Sequence, residues 1–139
     1  MHLVLQVLAT AQALQKEAQR IFRPHGLTAA QFNVLHVLSK QPAGMRASDL
    51  ARALIVDPSN VTGLLKRMKQ MGLLRALENS HDRRQHVVAL SAKGRAAWES
   101  AHRDYGRNLA ALDAVLSAAN RKAAEKVLQQ LTGAVASLR

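Results

Sequence analysis

The sequence predicts a mainly α-helical chain carrying one small β-hairpin. Three observations predict it. Apolar residues recur at steps of three and four over six separate stretches. Start and stop residues bound most of those stretches. Between the fourth and fifth, a cluster of turn-forming polar residues at 79–84 separates two apolar arms.

The first stretch runs from about His2 to Phe22, where Val4, Val7, Ala11, Leu14, Ala18 and Ile21 form a heptad-like stripe suited to a helix–helix seam. Pro24-His25-Gly26 breaks it. Thr28-x-x-Gln31 reads as a capping box opening the second helix, whose apolar face is Phe32, Leu35 and Leu38. That helix ends by Gln41-Pro42-Ala43-Gly44. The third is short, Ala47 to Leu54, with Leu50, Ala51 and Leu54 inward. Asp57 is a good N-cap for the fourth, Pro58 takes the favoured first position, and Val61, Leu64, Leu65, Met68 and Met71 make one apolar stripe. Gly72 is placed to stop it. The hairpin follows, with arms at 73–78 and 85–90. Ser91 caps a fifth helix, about Ala92 to Leu116. A sixth runs from about Asn120 to Leu138, with Ala124, Leu128, Leu131, Val135 and Leu138 stepping four and three.

A chain of 139 residues, 48% hydrophobic, is about one domain and large enough to bury a core without staples. The absence of cysteine excludes disulfides, thiolate zinc sites and thiol redox sensing, and fits a reducing cytoplasm. The net charge of +11 calls for a polyanionic partner. Its distribution is informative: residues 40–95 carry eleven basic and four acidic side chains, residues 96–139 six and four. No apolar run approaches the ~20 residues of a bilayer span. The start of the chain lacks the basic region of a signal peptide and is periodic, so it reads as a structured helix.

Two short helices joined by a tight link and followed by a two-stranded wing make a winged helix-turn-helix, with the fourth helix as recognition element. Opposite its apolar stripe stand Ser59, Asn60, Thr62, Gly63, Lys66, Arg67 and Gln70. Ser59, Asn60 and Thr62, near the helix start, suit base edges; Lys66 and Arg67 suit phosphate or guanine in double-stranded DNA. An ordinary solvated helix face is the plain alternative, and the basic hairpin downstream counts against it. At the wing tip, one arginine of Asp82-Arg83-Arg84 can enter a minor groove while Asp82 orients its neighbour; a solvated turn is the alternative. Trp98 and Tyr105, seven apart on the fifth helix, share a face that lines either an effector pocket or a packed interface. Aromatics at 3% leave few stacking partners for an aromatic effector. His81, His86 and His102 invite a zinc reading, but no histidine pair has HxxxH spacing, so no metal or other cofactor is expected. Without a phosphate loop, a cysteine nucleophile or an acid–base pair, no enzyme is expected either.

The stretch DPSNVTGLLKRMKQMGLLRALENSHDRRQHVVALSAKGRA resembles the signature of the MarR family of transcription regulators. The shared features are a recognition helix ending in a leucine-rich turn and glycine, the wing motif Asp82-x-Arg84, and the helix start Leu90-Ser91-Ala92-Lys93-Gly94. The upstream LTAAQFNVLHVL is similar to the family's second helix. The resemblance implies a single MarR-like domain over 1–139. Terminal helices at 1–23 and 96–139 would form a homodimer, and a winged part at 27–95 would grip a palindromic site. It also implies a repressor that releases DNA when a small, commonly phenolic or aromatic, ligand binds between the two parts. Two residues depart from the pattern. Gly63 stands where a larger, often basic, residue is common, and Arg46 where a serine or threonine often caps the third helix. The competing readings are a winged-helix protein-interaction module and a nucleic-acid binder without sequence preference.

Overall fold

A computed structural model describes residues 2–54, 58–78 and 86–139, with only the backbone described at 58, 59, 78 and 86. Asp57, His81, Asp82, Arg83 and Arg84 lie outside the described residues, as do the side chains of Ser59 and His86. The elements are α1 (His2–Phe22), a 3-10 turn (Arg23–His25), α2 (Ala29–Ser39), β1 (Met45–Arg46), α3 (Ala47–Leu54), α4 (Pro58–Gln70), β2 (Leu74–Glu78), β3 (His86–Leu90), α5 (Ala92–Asp113) and α6 (Ala118–Ala136). They divide into two compact units, Met1–Tyr105 and Gly106–Arg139.

In the first unit, α2 begins as its capping box requires. The Gln31 backbone N–H donates to Thr28 Oγ1 at 3.1 Å, and the Thr28 N–H donates to Gln31 Oε1 at 3.0 Å. Two otherwise unpaired donors are satisfied at once. The α2 face buries Phe32, Leu35 and Leu38 as its spacing predicts, and Val34 besides. Leu50 and Ala51 of α3 and Val61, Leu65 and Met68 of α4 meet them in one core with Phe22, Leu73, Leu74, Val88 and Leu90. Each large side chain removed from water there contributes roughly 1.5–3 kcal/mol. The apolar stripe of α4 is narrower than predicted. Leu64 is only partly buried and Met71, at the helix end, is exposed.

The hairpin pairs β2 with β3 antiparallel, from Leu74 opposite Leu90 to Glu78 opposite His86. The sheet has a third strand, β1, on the other side of β3, with Met45 opposite Val88 and Arg46 opposite Val87. A two-residue strand has no periodicity to detect, so its sequence shows only the turn before it.

The junction between α4 and α5 sets the direction of both. Gly72, at φ +77°, closes α4: its N–H reaches the Lys69 carbonyl at 2.9 Å, and the Leu73 N–H reaches that of Met68 at 3.0 Å. These are the paired bonds of a Schellman cap. The Ser91 hydroxyl donates to the Gly72 carbonyl at 2.6 Å and accepts the Gly94 N–H at 2.9 Å, capping α5. The Lys93 ammonium donates to the Met71 carbonyl at 2.8 Å, where the helix dipole favours a cation. Gly94 is required by contact rather than by dihedral: a Cβ there would lie 2.0 Å from the Leu73 carbonyl oxygen.

The second unit holds the last turns of α5 and all of α6. Here the helix ends differ from the sequence expectation. Helix α5 stops at Asp113 rather than Leu116, because the next residues make short-range bonds, Val115 N–H to Leu112 and Leu116 N–H to Asp113. Helix α6 starts at Ala118 rather than Asn120, because the Ser117 hydroxyl accepts the Asn120 N–H at 3.1 Å. It ends at Ala136, leaving Leu138 outside.

Gly94→Ala is expected to destabilise the protein by about 1–3 kcal/mol, the cost of forcing an extra methyl into a packed contact. Urea unfolding checks this; an unchanged midpoint would mean that the α5 start can slide away from Leu73 freely.

Candidate nucleic-acid interface

Helix α4 is held from below by Val61, Leu65 and Met68 and from its C-terminal end by the Gly72 cap, so its outer face is presented on a rigid base. Asn60, Thr62, Gly63, Lys66, Arg67, Lys69 and Gln70 are all exposed. They do not form one face. At about 100° per residue, Lys66 and Gln70 point roughly 140° and 180° from Val61. Thr62 lies on one flank, and Lys69, seven residues on, shares that flank. Sequence reasoning omitted Lys69; its spacing from Thr62 was the available signal. Asn60 and Arg67 lie on the opposite flank, with Leu64. They border a cleft of about 250 Å3 between α2, α3 and α4, lined also by Ala30, Asn33, Leu54 and Val61. Lys66 and Gln70 thus stand on the outer face, Thr62 and Lys69 on one flank, and Asn60 and Arg67 at the cleft edge.

A second set of basic groups lies where β1 runs into α3. Arg46 does not cap α3 as a serine would. Its Nε reaches Asp49 Oδ2 at 3.0 Å, and Arg52 pairs with the other oxygen of the same carboxylate. Hydrogen bonds from Arg46 and then Arg52 hold the Asp49 carboxyl below its ordinary range. Both guanidinium groups stay exposed, so the cluster keeps a net positive charge at the surface.

Trp98 and Tyr105 belong to one ring cluster joining α1, α2 and α5. Tyr105 stands edge-on to Phe22 at 5.0 Å and Phe32 at 5.7 Å, and those two rings stack at 4.2 Å. Trp98 stacks on His102 at 4.8 Å, and its indole N–H donates to His36 Nδ1 at 3.2 Å. His36 in turn stacks on Phe32 at 5.8 Å. The low aromatic content therefore understates the available ring surface, because imidazoles extend it. His102, a zinc candidate by sequence, is occupied with Trp98. Among the described residues, no group of three metal-ligating side chains forms. Nearby, His25 Nε2 meets Asp104 Oδ2 at 2.8 Å. No helix among the described residues is long and apolar enough to cross a membrane.

A capped recognition helix over a helix-turn-helix core, with a hairpin behind it and lysines along its outer face, defines a winged helix-turn-helix protein built to meet a polyanion. Comparison with known proteins identifies the family. Residues 25–85 match the MarR family model. Over 91 residues the chain is 38% identical to the transcriptional activatory protein BadR of Rhodopseudomonas palustris, covering 64% of this chain and 52% of that protein. Over 100 residues it is 33% identical to the homoprotocatechuate degradative operon repressor of Escherichia coli, covering 71% of this chain and 66% of that one. The chain therefore spans between about half and two-thirds of the length of these relatives. Among solved structures, a mutant MarR from Escherichia coli complexed with operator DNA matches with a TM-score of 0.84 at 26% identity, covering 94% of each chain. The chain belongs to the MarR family of winged-helix regulators, a non-enzymatic class.

The His36 contact is titratable. Burial first, then the positive charge of Lys40 and the neighbouring His102, hold the His36 imidazole below its ordinary pKa of 6.5. Nδ1 accepts the indole proton only while unprotonated. The unfolded chain thus takes up a proton at this site more readily than the folded one, so stability is full above pH 6.5 and declines as pH falls below it. His36→Asn is expected to flatten the slope of stability against pH over that acidic range. Parallel slopes for the two proteins would place the titration elsewhere.

Proposed function

We propose that this protein is a homodimeric, sequence-specific DNA-binding transcription regulator. The observation that carries the reading is the exposed Thr62–Lys66–Lys69–Gln70 surface of α4, opposite a fully buried stripe and anchored by the α4–α5 junction. Such a surface supplies hydroxyl and amide groups for base edges and ammonium groups for phosphates, on a helix of the diameter a major groove admits. Ser59, Asn60 and Thr62 would read bases; Lys66 and Arg67 would hold phosphate. Asp82, Arg83 and Arg84 would act at the wing. The operator-bound MarR relative supports a DNA partner.

Apolar surface left open supports the dimer. On α1, Leu3, Val4, Leu5, Leu8 and Leu14 are each 46–58% exposed. On α6, Val127, Leu128 and Val135 are 39–57% exposed. Exposed apolar surface along each of these helices marks an interaction site, and the stripes repeat at the spacing of a helical seam. A second copy offers the same surface, and closing it gives a symmetric reader of a palindrome. The protein would work as a cytoplasmic repressor by occupying an operator; its Escherichia coli relative is named an operon repressor. A small-molecule effector would enter beside Trp98 and Tyr105, where displacing rings moves α5 against α2.

Selection from a random DNA pool tests the reading: a palindrome with half-sites about one helical turn apart is expected. Salt-sensitive binding without an enriched site would instead leave a binder without sequence preference. Lys66→Ala should weaken binding to all sequences and lower the salt slope by about 1, the share of one phosphate contact. Leu8→Lys should yield monomers in sedimentation at micromolar concentration and abolish palindrome binding, while retaining the helical circular dichroism. Dimers that persist would remove α1 from the interface.

A further inference from the structure

Gly63 sits in the interior of α4, where glycine weakens a helix relative to alanine. The structure offers no internal reason for it. Its backbone is not in the left-handed region that Gly26, Gly44 and Gly72 occupy, and, beyond its chain neighbours and its own helix backbone, no described atom lies within 4 Å of a Cβ built on it. Gly94, by contrast, is forced by the Leu73 carbonyl. Gly106 and Gly133 share the openness of Gly63, but in α5 and α6. Gly63 faces roughly 160° away from the buried Val61, and its neighbours at three and four residues are Ser59, Asn60, Lys66 and Arg67. It is therefore a bare spot ringed by the polar positions of the recognition helix.

The chemistry of the spot is restrictive. Backbone groups inside a helix are already bonded to one another, so the recess has nothing to donate or accept. A base edge that needs a hydrogen bond loses one there. In the major groove, the group without that need is the C5-methyl of thymine. We propose that Gly63 is a specificity-determining position, whose missing side chain leaves a recess that receives a thymine methyl group. The inference rests on the DNA-binding reading above.

The test is a cycle between protein and DNA. Operators enriched by the wild-type protein are remade with each thymine in turn replaced by uracil, which lacks only the methyl. One such replacement per half-site should weaken wild-type binding roughly fourfold, the worth of one buried methyl group. Gly63→Ala should bind the thymine operator at least as much more weakly. It should recover to within about twofold of wild type on the uracil operator, because its own methyl occupies the vacated space. Its affinity for unrelated DNA and its melting temperature should not fall, which separates the effect from a damaged fold. An equal loss on thymine and uracil operators, or an operator at which no thymine responds, overturns the recess while leaving the regulator reading intact. A wild-type protein that enriches no site overturns both.

Discussion

The presentation of the recognition helix depends on how α4 ends and α5 begins. Three hydrogen bonds cross between 71–73 and 91–93: the Ser91 N–H on the Leu73 carbonyl, the Ser91 hydroxyl on the Gly72 carbonyl and the Lys93 ammonium on the Met71 carbonyl, while the Schellman cap closes α4 and the Ser91 hydroxyl caps α5. Helix termini leave carbonyls and N–H groups without partners, and here one helix's carbonyls are satisfied by the other helix's first turn. The ammonium bond is charge-assisted and sits at the negative end of α4. Because Gly94 presses its backbone against Leu73, there is no slack in the joint. The core side of α4 and the hairpin that follows inherit their positions from it.

Charge is arranged around that rigid element in two ways. On the exposed side of α4, Lys66 and Lys69 present ammonium groups to solvent, which suits a surface that releases a polyanion's counterions. At the entry to α3, one carboxylate is shared by two arginines, which holds both guanidinium groups in place without cancelling their charge. Exposed ion pairs of this sort add little stability. Their consequence is geometric: two long side chains lose freedom before any partner arrives. The cleft bordered by Asn60 and Arg67 gives the same helix a second edge, apolar at its floor and polar at its rim.

The ring cluster performs a different task. Phe22 from α1, Phe32 and His36 from α2, and Trp98, His102 and Tyr105 from α5 bring three helices far apart in sequence to one place. Edge-on and stacked ring pairs are directional as well as apolar, so they define angle as well as distance. Using imidazoles as ring partners makes part of this packing sensitive to protonation, because an imidazole that accepts a hydrogen bond cannot do so once charged.

What the sequence by itself determined is the set of features whose physics is local. The Thr28–Gln31 capping box, the stop at Gly72, the Ser91 cap and the buried face of α2 each depend on residues within four or so positions of one another, and each stands where its spacing places it, whereas the α4 stripe keeps only Val61, Leu65 and Met68 buried. The tertiary structure alone decided the features that need distant partners. β1 exists because β3 offers it an edge. Gly94 matters because Leu73 lies against it. Asn60 and Arg67 turn to a cleft because α2 and α3 supply its other walls, while Lys66 and Gln70 do not. His36 and His102 become ring partners of Trp98 across more than sixty residues of chain in one case and four in the other, and only the first needed the fold. Periodicity assigns a residue to a side of a helix, but what stands opposite that side is set by packing between elements, which spacing along the chain does not encode.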